Sequence, residues 1–186
     1  MLAMTARFLM FFSFWAYPLL SGLLLYWGLV REPERSGFEI RVLIAYGVLL
    51  WSLIEYLMHR FLFHPNHRID SLQRLADGLH GIHHRKPRDP REILASATTS
   101  IPPSLLILGL LWIATGSLLT IAGVMTGVWA GFLYYEWVHY RVHTTNAAGL
   151  LDWHRRRHFH HHFVDDTACF GVTSPLWDIV FGTLRS

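Results

Sequence analysis

Ten of the thirteen histidines in this chain of 186 residues fall into four short groups. "HRFLFH" holds His59 and His64, and "HGIHH" holds His80, His83 and His84. "HYRVH" holds His139 and His143, and "HFHHH" holds His158, His161 and His162 with His160 between them. Imidazole suits iron, zinc, copper and nickel. On a helix, residues three and four apart are neighbours, so His139 and His143 share a face. In an HxxHH group the first two rings flank one side and the third adds to it, while the last two diverge by about 100°. One such group can feed two ions set a few ångströms apart. His59 and His64 diverge by about 140°, and could serve two ions only if the helix ends or bends between them. Ten imidazoles are too many for one ion; two ions of about five ligands each fit the count. Rings packed this closely would repel as cations unless a metal held them neutral. His67, His154 and His160 have no partner at ligand spacing and are read as non-ligands.

The elements that must carry these groups are apolar. Phe8–Val30 is 23 residues without a charge and Ile93–Tyr135 is 43. A bilayer core of roughly 30 Å needs about 20 apolar helical residues to cross it. The first block reads as one span, retained as a membrane helix: it is too long for a signal peptide and no small-x-small cleavage site follows. The second block reads as a hairpin turning at Thr115-Gly116-Ser117. With a span carrying Glu55 and His59, the expected crossings are about 8–30, 42–62, 101–115 and 118–138. The first arm of the hairpin, with Pro102 and Pro103 near its start, is short for a full crossing, so it either extends back before Pro102 or does not cross fully.

Charge supports this layout. With four spans, thirteen of the sixteen basic residues share one side. The other side has Arg31, Arg35 and Arg41, matched by Glu32, Glu34 and Glu39. The positive-inside rule then places both termini and all four histidine groups on the cytoplasmic side. A basic membrane-flanking region also accounts for the net charge of +3 without nucleic acid as a partner. The "RRRH" run (155–158) is expected to meet lipid headgroups. The expectation is an all-α membrane protein, a single domain over 1–186. About four transmembrane helices would carry a cytoplasmic helical cap with a dinuclear histidine site.

The donor set narrows the chemistry. A structural zinc site is usually rich in cysteine, and this chain has one, Cys169, read as a buried small apolar side chain. Soluble di-iron carboxylate bundles use two Glu-x-x-His pairs, and only Glu136–His139 matches. A bis-histidine haem protein would place its ligands within the spans. A metal transporter would need polar groups along a mid-membrane path, and the hairpin has none. Glu55 lies one turn before His59, and Glu136 stands in the same relation to His139. Each either hydrogen-bonds to that imidazole or reaches interfacial water.

"EYLMHRFLFH", "HGIHHRKPRD", "EWVHYRVH", "HFHHHF" and "FGVTSPLWDIVFGT" (170–183) together resemble the fatty acid hydroxylase/sterol desaturase superfamily, and fatty acid 2-hydroxylases most of all. The resemblance runs in order over roughly 45–184. It implies that the ten grouped histidines hold two metal ions, expected to be iron with zinc as the other fit. Glu55, Glu136 and Asp178 are the candidate carboxylates for supporting the ligating rings. The resemblance implies O2 as co-substrate and hydroxylation of an unactivated CH2 of a lipid acyl chain. The substrate would be a fatty acid or a sphingolipid or ceramide acyl group, attacked at its 2-position. Only seven residues precede the first span, so no cytochrome b5 domain is expected on this chain. Electrons would come from a separate cytochrome b5-like or ferredoxin-like protein and its reductase. The setting would be a bacterial inner membrane or the ER membrane. A carotenoid-ring hydroxylase, a sterol-type oxidase or desaturase, and a non-catalytic zinc-binding membrane protein are the competing readings. The HxxxH spacing of His139–His143 and the 170–183 tail favour the acyl substrate.

Overall fold

A computed structural model describes residues 11–65, 69–146 and 148–185, so His67 lies outside the described residues. All regular structure among them is helical. In chain order these are α1 (Phe12–Arg31), α2 (Gly37–Leu57), a π turn (Met58–Phe63), α3 (Asp70–Ala76), a second π turn (Asp77–Gly81) and α4 (Ile82–Arg85). There follow α5 (Pro90–Ile93), α6 (Ala97–Thr115), α7 (Leu118–Thr144), α8 (Leu150–Phe163) and α9 (Leu176–Val180).

Among the described residues, four segments are long and apolar enough to cross a membrane: Phe12–Arg31, Gly37–Phe63, Pro90–Thr115 and Leu118–Thr144. Apolar helices suit that setting because every backbone polar group is satisfied within the segment. Of the two alternatives for the short arm, α6 takes the extension: it begins at Ala97, with Pro102 and Pro103 inside the helix. α7 runs to Thr144 rather than 138, so His139 and His143 ride on one unbroken helix. Between α6 and α7, Gly116 takes a left-handed conformation at φ +60° and donates its N–H to the Trp112 carbonyl at 3.0 Å. That conformation favours glycine and ends the helix.

The chain divides into two compact units, one from Met1–Trp51 with Ala95–Leu133 and the other from Ser52–Leu94 with Tyr134–Ser186. In the first, α2 and α7 come together backbone to backbone. A Cβ on Gly47 would stand 2.1 Å from the Val124 carbonyl oxygen, and one on Gly127 would stand 2.0 Å from that of Ile44. Gly123 and Gly131 continue the same stripe, facing Leu43 and Trp51. Small residues at this spacing let membrane helices approach closely. Tyr17 stacks on Trp129 with ring centroids 5.1 Å apart, and the Trp129 indole N–H donates to Ser104 Oγ. The Glu32 carboxylate accepts from Ser117 Oγ at 2.9 Å and from the Leu119 N–H at 3.1 Å. It therefore caps the start of α7, where a helix carries partial positive charge.

In the second unit, the chain after α8 folds against its other helices. Val172 packs with Val138 and Val142. The Tyr56 ring stacks on Phe181 at 5.2 Å, and its hydroxyl meets Thr183 Oγ1 at 3.0 Å. The Trp177 indole N–H donates to Ser52 Oγ. These contacts hold the 168–183 segment against the histidine-bearing elements of the same unit.

Candidate metal centre

All ten grouped histidines lie in the second unit, where they sort into two sets of five. His59, His64, His80, His84 and His161 form one, and His83, His139, His143, His158 and His162 the other. Within each set the ligand nitrogens all lie within 4.8 Å of one another. The close pairs meet through Nε2. In the first set His59–His80 is 3.1 Å, His80–His84 3.0 Å and His64–His161 3.0 Å. In the second, His83–His139 is 3.0 Å, His83–His162 3.1 Å and His143–His158 2.8 Å. A metal–nitrogen bond of about 2.1 Å puts ligands at right angles about 3.0 Å apart, and tetrahedral ligands about 3.4 Å apart. The spacing fits adjacent positions around an ion of more than four ligands.

Local helix geometry decides which ring joins which set. The His64 N–H bonds to the His59 carbonyl at 3.1 Å, closing the π turn five residues on. That wide turn brings the fifth residue round beneath the first. The helix thus departs from regular pitch, which was the condition for the pair to serve two ions, yet both rings enter one set. In both HxxHH groups the rings four apart share a set and the ring three along joins the other: His80 and His84 against His83, His158 and His162 against His161. This corrects the expected pairing of the first ring with the ring three along. At 3.6 residues per turn the fourth residue is about 40° from the first, and the third about 60° away on the opposite side.

Burial, reinforced by neighbouring rings, disfavours the charged imidazoles. It pushes His83 down to about 2, His161 to about 3 and His84 to about 4, with His80 and His158 also well below the ordinary value. Neutral rings are what metal ligation needs. Backbone carbonyls then choose the tautomer. His59 Nδ1 donates to the Phe170 carbonyl at 2.5 Å, His161 Nδ1 to Ala168 at 2.8 Å, and His139 Nδ1 to Ile93 at 3.2 Å. A carbonyl only accepts, so Nδ1 holds the proton and the Nε2 lone pair faces the other rings.

Two buried carboxylates secure the tail run that supplies two of those carbonyls, at Ala168 and Phe170. Asp178 accepts from the N–H groups of Phe170 and Gly171, both at 2.9 Å, and from Thr183 Oγ1 at 2.7 Å. It pairs with Arg157 Nη2 at 3.2 Å, which also donates to the Gly171 carbonyl at 2.7 Å. A Cβ on Gly171 would stand 2.1 Å from the Ser174 carbonyl oxygen, so this tight turn requires glycine. Glu55 accepts from the N–H groups of Val172 (2.6 Å) and Thr173 (2.9 Å) and from Thr173 Oγ1. Its carboxylate bonds to the tail rather than to His59, so it supports that ring at one remove. Glu136 is buried, but the His139 Nδ1 proton goes to the Ile93 carbonyl.

Among the histidines read as non-ligands, His154 and His160 lie outside both sets. His154 is nonetheless buried and donates from Nδ1 to the Val172 carbonyl at 2.9 Å. Its place one turn before His158 on the same helix was the available signal. Arg157 corrects the headgroup expectation for its run: it is buried over the Trp153 ring and pinned to Asp178. Cys169 is buried, in a left-handed conformation at φ +56°, with burial raising its thiol pKa.

Residues 44–183 match the model of the fatty acid hydroxylase family. The chain belongs to that family. A dihydroceramide fatty acyl 2-hydroxylase of Arabidopsis thaliana is 34% identical over 150 residues, covering 78% of this chain and 62% of that protein. The human fatty acid 2-hydroxylase is 34% identical over 149 residues, covering 76% of this chain and 39% of that one. A solved structure of scs7p, with its hydroxylase domain visible, superposes with a TM-score of 0.80 at 27% identity. It covers 92% of this chain and 66% of that one. The chain therefore spans between about two fifths and two thirds of the length of these relatives, and all ten grouped histidines fall inside the residues matched by the family.

Proposed function

We propose that this chain is a membrane-bound oxygenase that hydroxylates a lipid acyl chain at its 2-position. The observation that carries the reading is the convergence of ten Nε2-presenting imidazoles into two sets of five. Relatives named as fatty acid and dihydroceramide fatty acyl 2-hydroxylases support the acyl substrate over a carotenoid ring or sterol. Each set fits one ion, and right-angle spacing favours iron over a tetrahedral structural zinc. When bound, the ions would supply O2 activation, drawing electrons from a separate cytochrome b5-like or ferredoxin-like protein and its reductase.

The chain's own residues do the rest. The ten imidazoles bind the ions as neutral donors. Carbonyls of Ile93, Ala168 and Phe170 hold protons on Nδ1 and turn Nε2 inward. Phe170 covers the first set, with its ring 5.7 Å from His59 and 5.6 Å from His161, and limits water there. The apolar helices would hold the site at the cytoplasmic face of a bacterial inner membrane or the ER, where an acyl chain reaches it from the bilayer. The test is expression in a host lacking such an enzyme, with lipid mass spectrometry under isotopically heavy O2. The expected result is one labelled oxygen at carbon 2 of an acyl chain. No new oxygenated lipid with both ions loaded and a reductant supplied would reject the function.

A further inference from the structure

A polar cavity of about 400 Å³ opens beside the second histidine set, lined by Arg88, His143, Thr144, Thr145, Asn146 and Arg155. His143 belongs to both: its imidazole joins the second set, and the residue forms part of the cavity lining. Among the described residues that line this space, two are arginines and none is acidic. Of the acids nearby in sequence, Asp89 pairs with Arg91 and Asp152 with Arg156, and Glu92 does not line the cavity. Among the described residues, Arg88 and Arg155 enter no ion pair; the Arg155 guanidinium lies over the Phe159 ring at 4.8 Å. Arginines near a helix C-terminus often answer its partial negative charge. Here the Thr144 and Thr145 hydroxyls already donate to the Tyr140 and Arg141 carbonyls in that last turn, at 2.7 and 2.8 Å.

We propose that this cavity binds the anionic head group of the acyl substrate, with Arg88 and Arg155 gripping its carboxylate or phosphate oxygens. This rests on the 2-hydroxylase reading and adds the class of lipid. The planar guanidinium fork matches such oxygens, and two cations without carboxylate partners favour an anion over a neutral amide or alcohol head. The position also suits the regiochemistry. In a free fatty acid carbon 2 is bonded directly to the gripped carboxyl carbon, and in a phospholipid it lies a few bonds beyond the phosphate through the glycerol ester, so a group gripping either head must sit close to the oxidising site. A cavity sharing His143 with the second set meets that requirement. The chain would then accept a free fatty acid or an anionic phospholipid in preference to a ceramide.

The test is equilibrium binding to the metal-loaded, detergent-solubilised protein at pH 8, without reductant, so that it reads no turnover. Labelled palmitate is compared with labelled palmitamide, which has the same chain and a neutral head. Unlabelled phosphatidylglycerol and ceramide serve as competitors. Palmitate should bind about tenfold to a hundredfold tighter than palmitamide, the range of charge-assisted hydrogen bonds. Added salt should shrink that ratio. R88A/R155A should bring it near one while leaving palmitamide affinity unchanged, and R155K should retain part of it. Competition by phosphatidylglycerol as effective as palmitate would identify a phosphate head; competition by palmitate alone would identify a carboxylate. Equal affinity for palmitate and palmitamide, a preference that survives in R88A/R155A, or ceramide competing as well as both anions would overturn the proposal. A hydroxylated product with no anion preference would reject the pocket and keep the function; anion binding with no product would do the reverse.

Discussion

Replacing Asp178 with asparagine should loosen one histidine set and spare the other. Its carboxylate is fully buried, takes three hydrogen bonds within the 170–183 segment, and neutralises Arg157. Asparagine keeps the shape, but one acceptor becomes a donor and the negative charge is lost. Arg157 would be left buried with its charge uncompensated, and breaking a buried pair on one side costs about 3–5 kcal/mol. At about 2–4 °C per kcal/mol for a chain of this size, the thermal midpoint in detergent should fall by roughly 10 °C. The same change frees the Phe170 and Gly171 N–H groups and so slackens the carbonyls that orient His59 and His161. Losing such support typically costs about 10–100-fold in metal affinity. The second set takes its carbonyl from Ile93, outside that segment. Metal analysis after dialysis should therefore find one ion where the parent protein keeps two. Adding Arg157→Met should recover part of the midpoint by removing the stranded charge. An unchanged midpoint with both ions retained would refute the reasoning.

His161→Ala should release an ion from the first set and His143→Ala one from the second, each abolishing product, whereas His160→Ala should keep both ions and most activity; metal content and lipid mass spectrometry check all three. Gly127→Leu should cut the yield of monodisperse protein from detergent extracts, because a Cβ there already meets the Ile44 carbonyl at 2.0 Å; overpacking of this kind costs about 1–3 kcal/mol or more. The metal-free protein should be acid-labile. His84 and His161 titrate near 4 and 3 when folded, below the ordinary value of about 6.5. As pH falls below about 6.5 the unfolded chain gains protons that the folded chain refuses, so stability drops towards pH 4 and below. Thermal midpoints in chelator should be level above pH 7 and decline beneath 6.5; a midpoint that rises between pH 7 and 5 would contradict this.

The ten grouped histidines were legible as candidate ligands because they recur at helical spacing in four groups flanking apolar blocks, and folding brings them into two sets. Their allotment was less legible. It depends on whether His59 and His64 are joined by a regular or a wide turn, and nothing in "HRFLFH" announces a π turn. The HxxHH pairing could have been worked out from angles alone, since the fourth residue lies nearer the first than the third does. Glu55 stands out in the sequence for its depth in a span, but its main-chain N–H partners lie more than a hundred residues away, beyond any local rule. Arg157 looked like its exposed neighbour Arg156, and only folding separated them. The glycines of α7 at 123, 127 and 131 are a readable signal of close helix packing that composition and charge did not bring out.

The rings of His161, His59 and His154 are aimed by alternate oxygens of one peptide run, at residues 168, 170 and 172. Those oxygens belong to every amino acid. A library that exchanges side chains along this run would report on packing and turn formation while leaving the three acceptors chemically intact. Replacing a peptide link by an ester, which weakens its oxygen as an acceptor, would reach what mutagenesis cannot. It also means a distant homologue can rewrite the lettering here and still hand its imidazoles the same orientation, provided the loop closes along the same path.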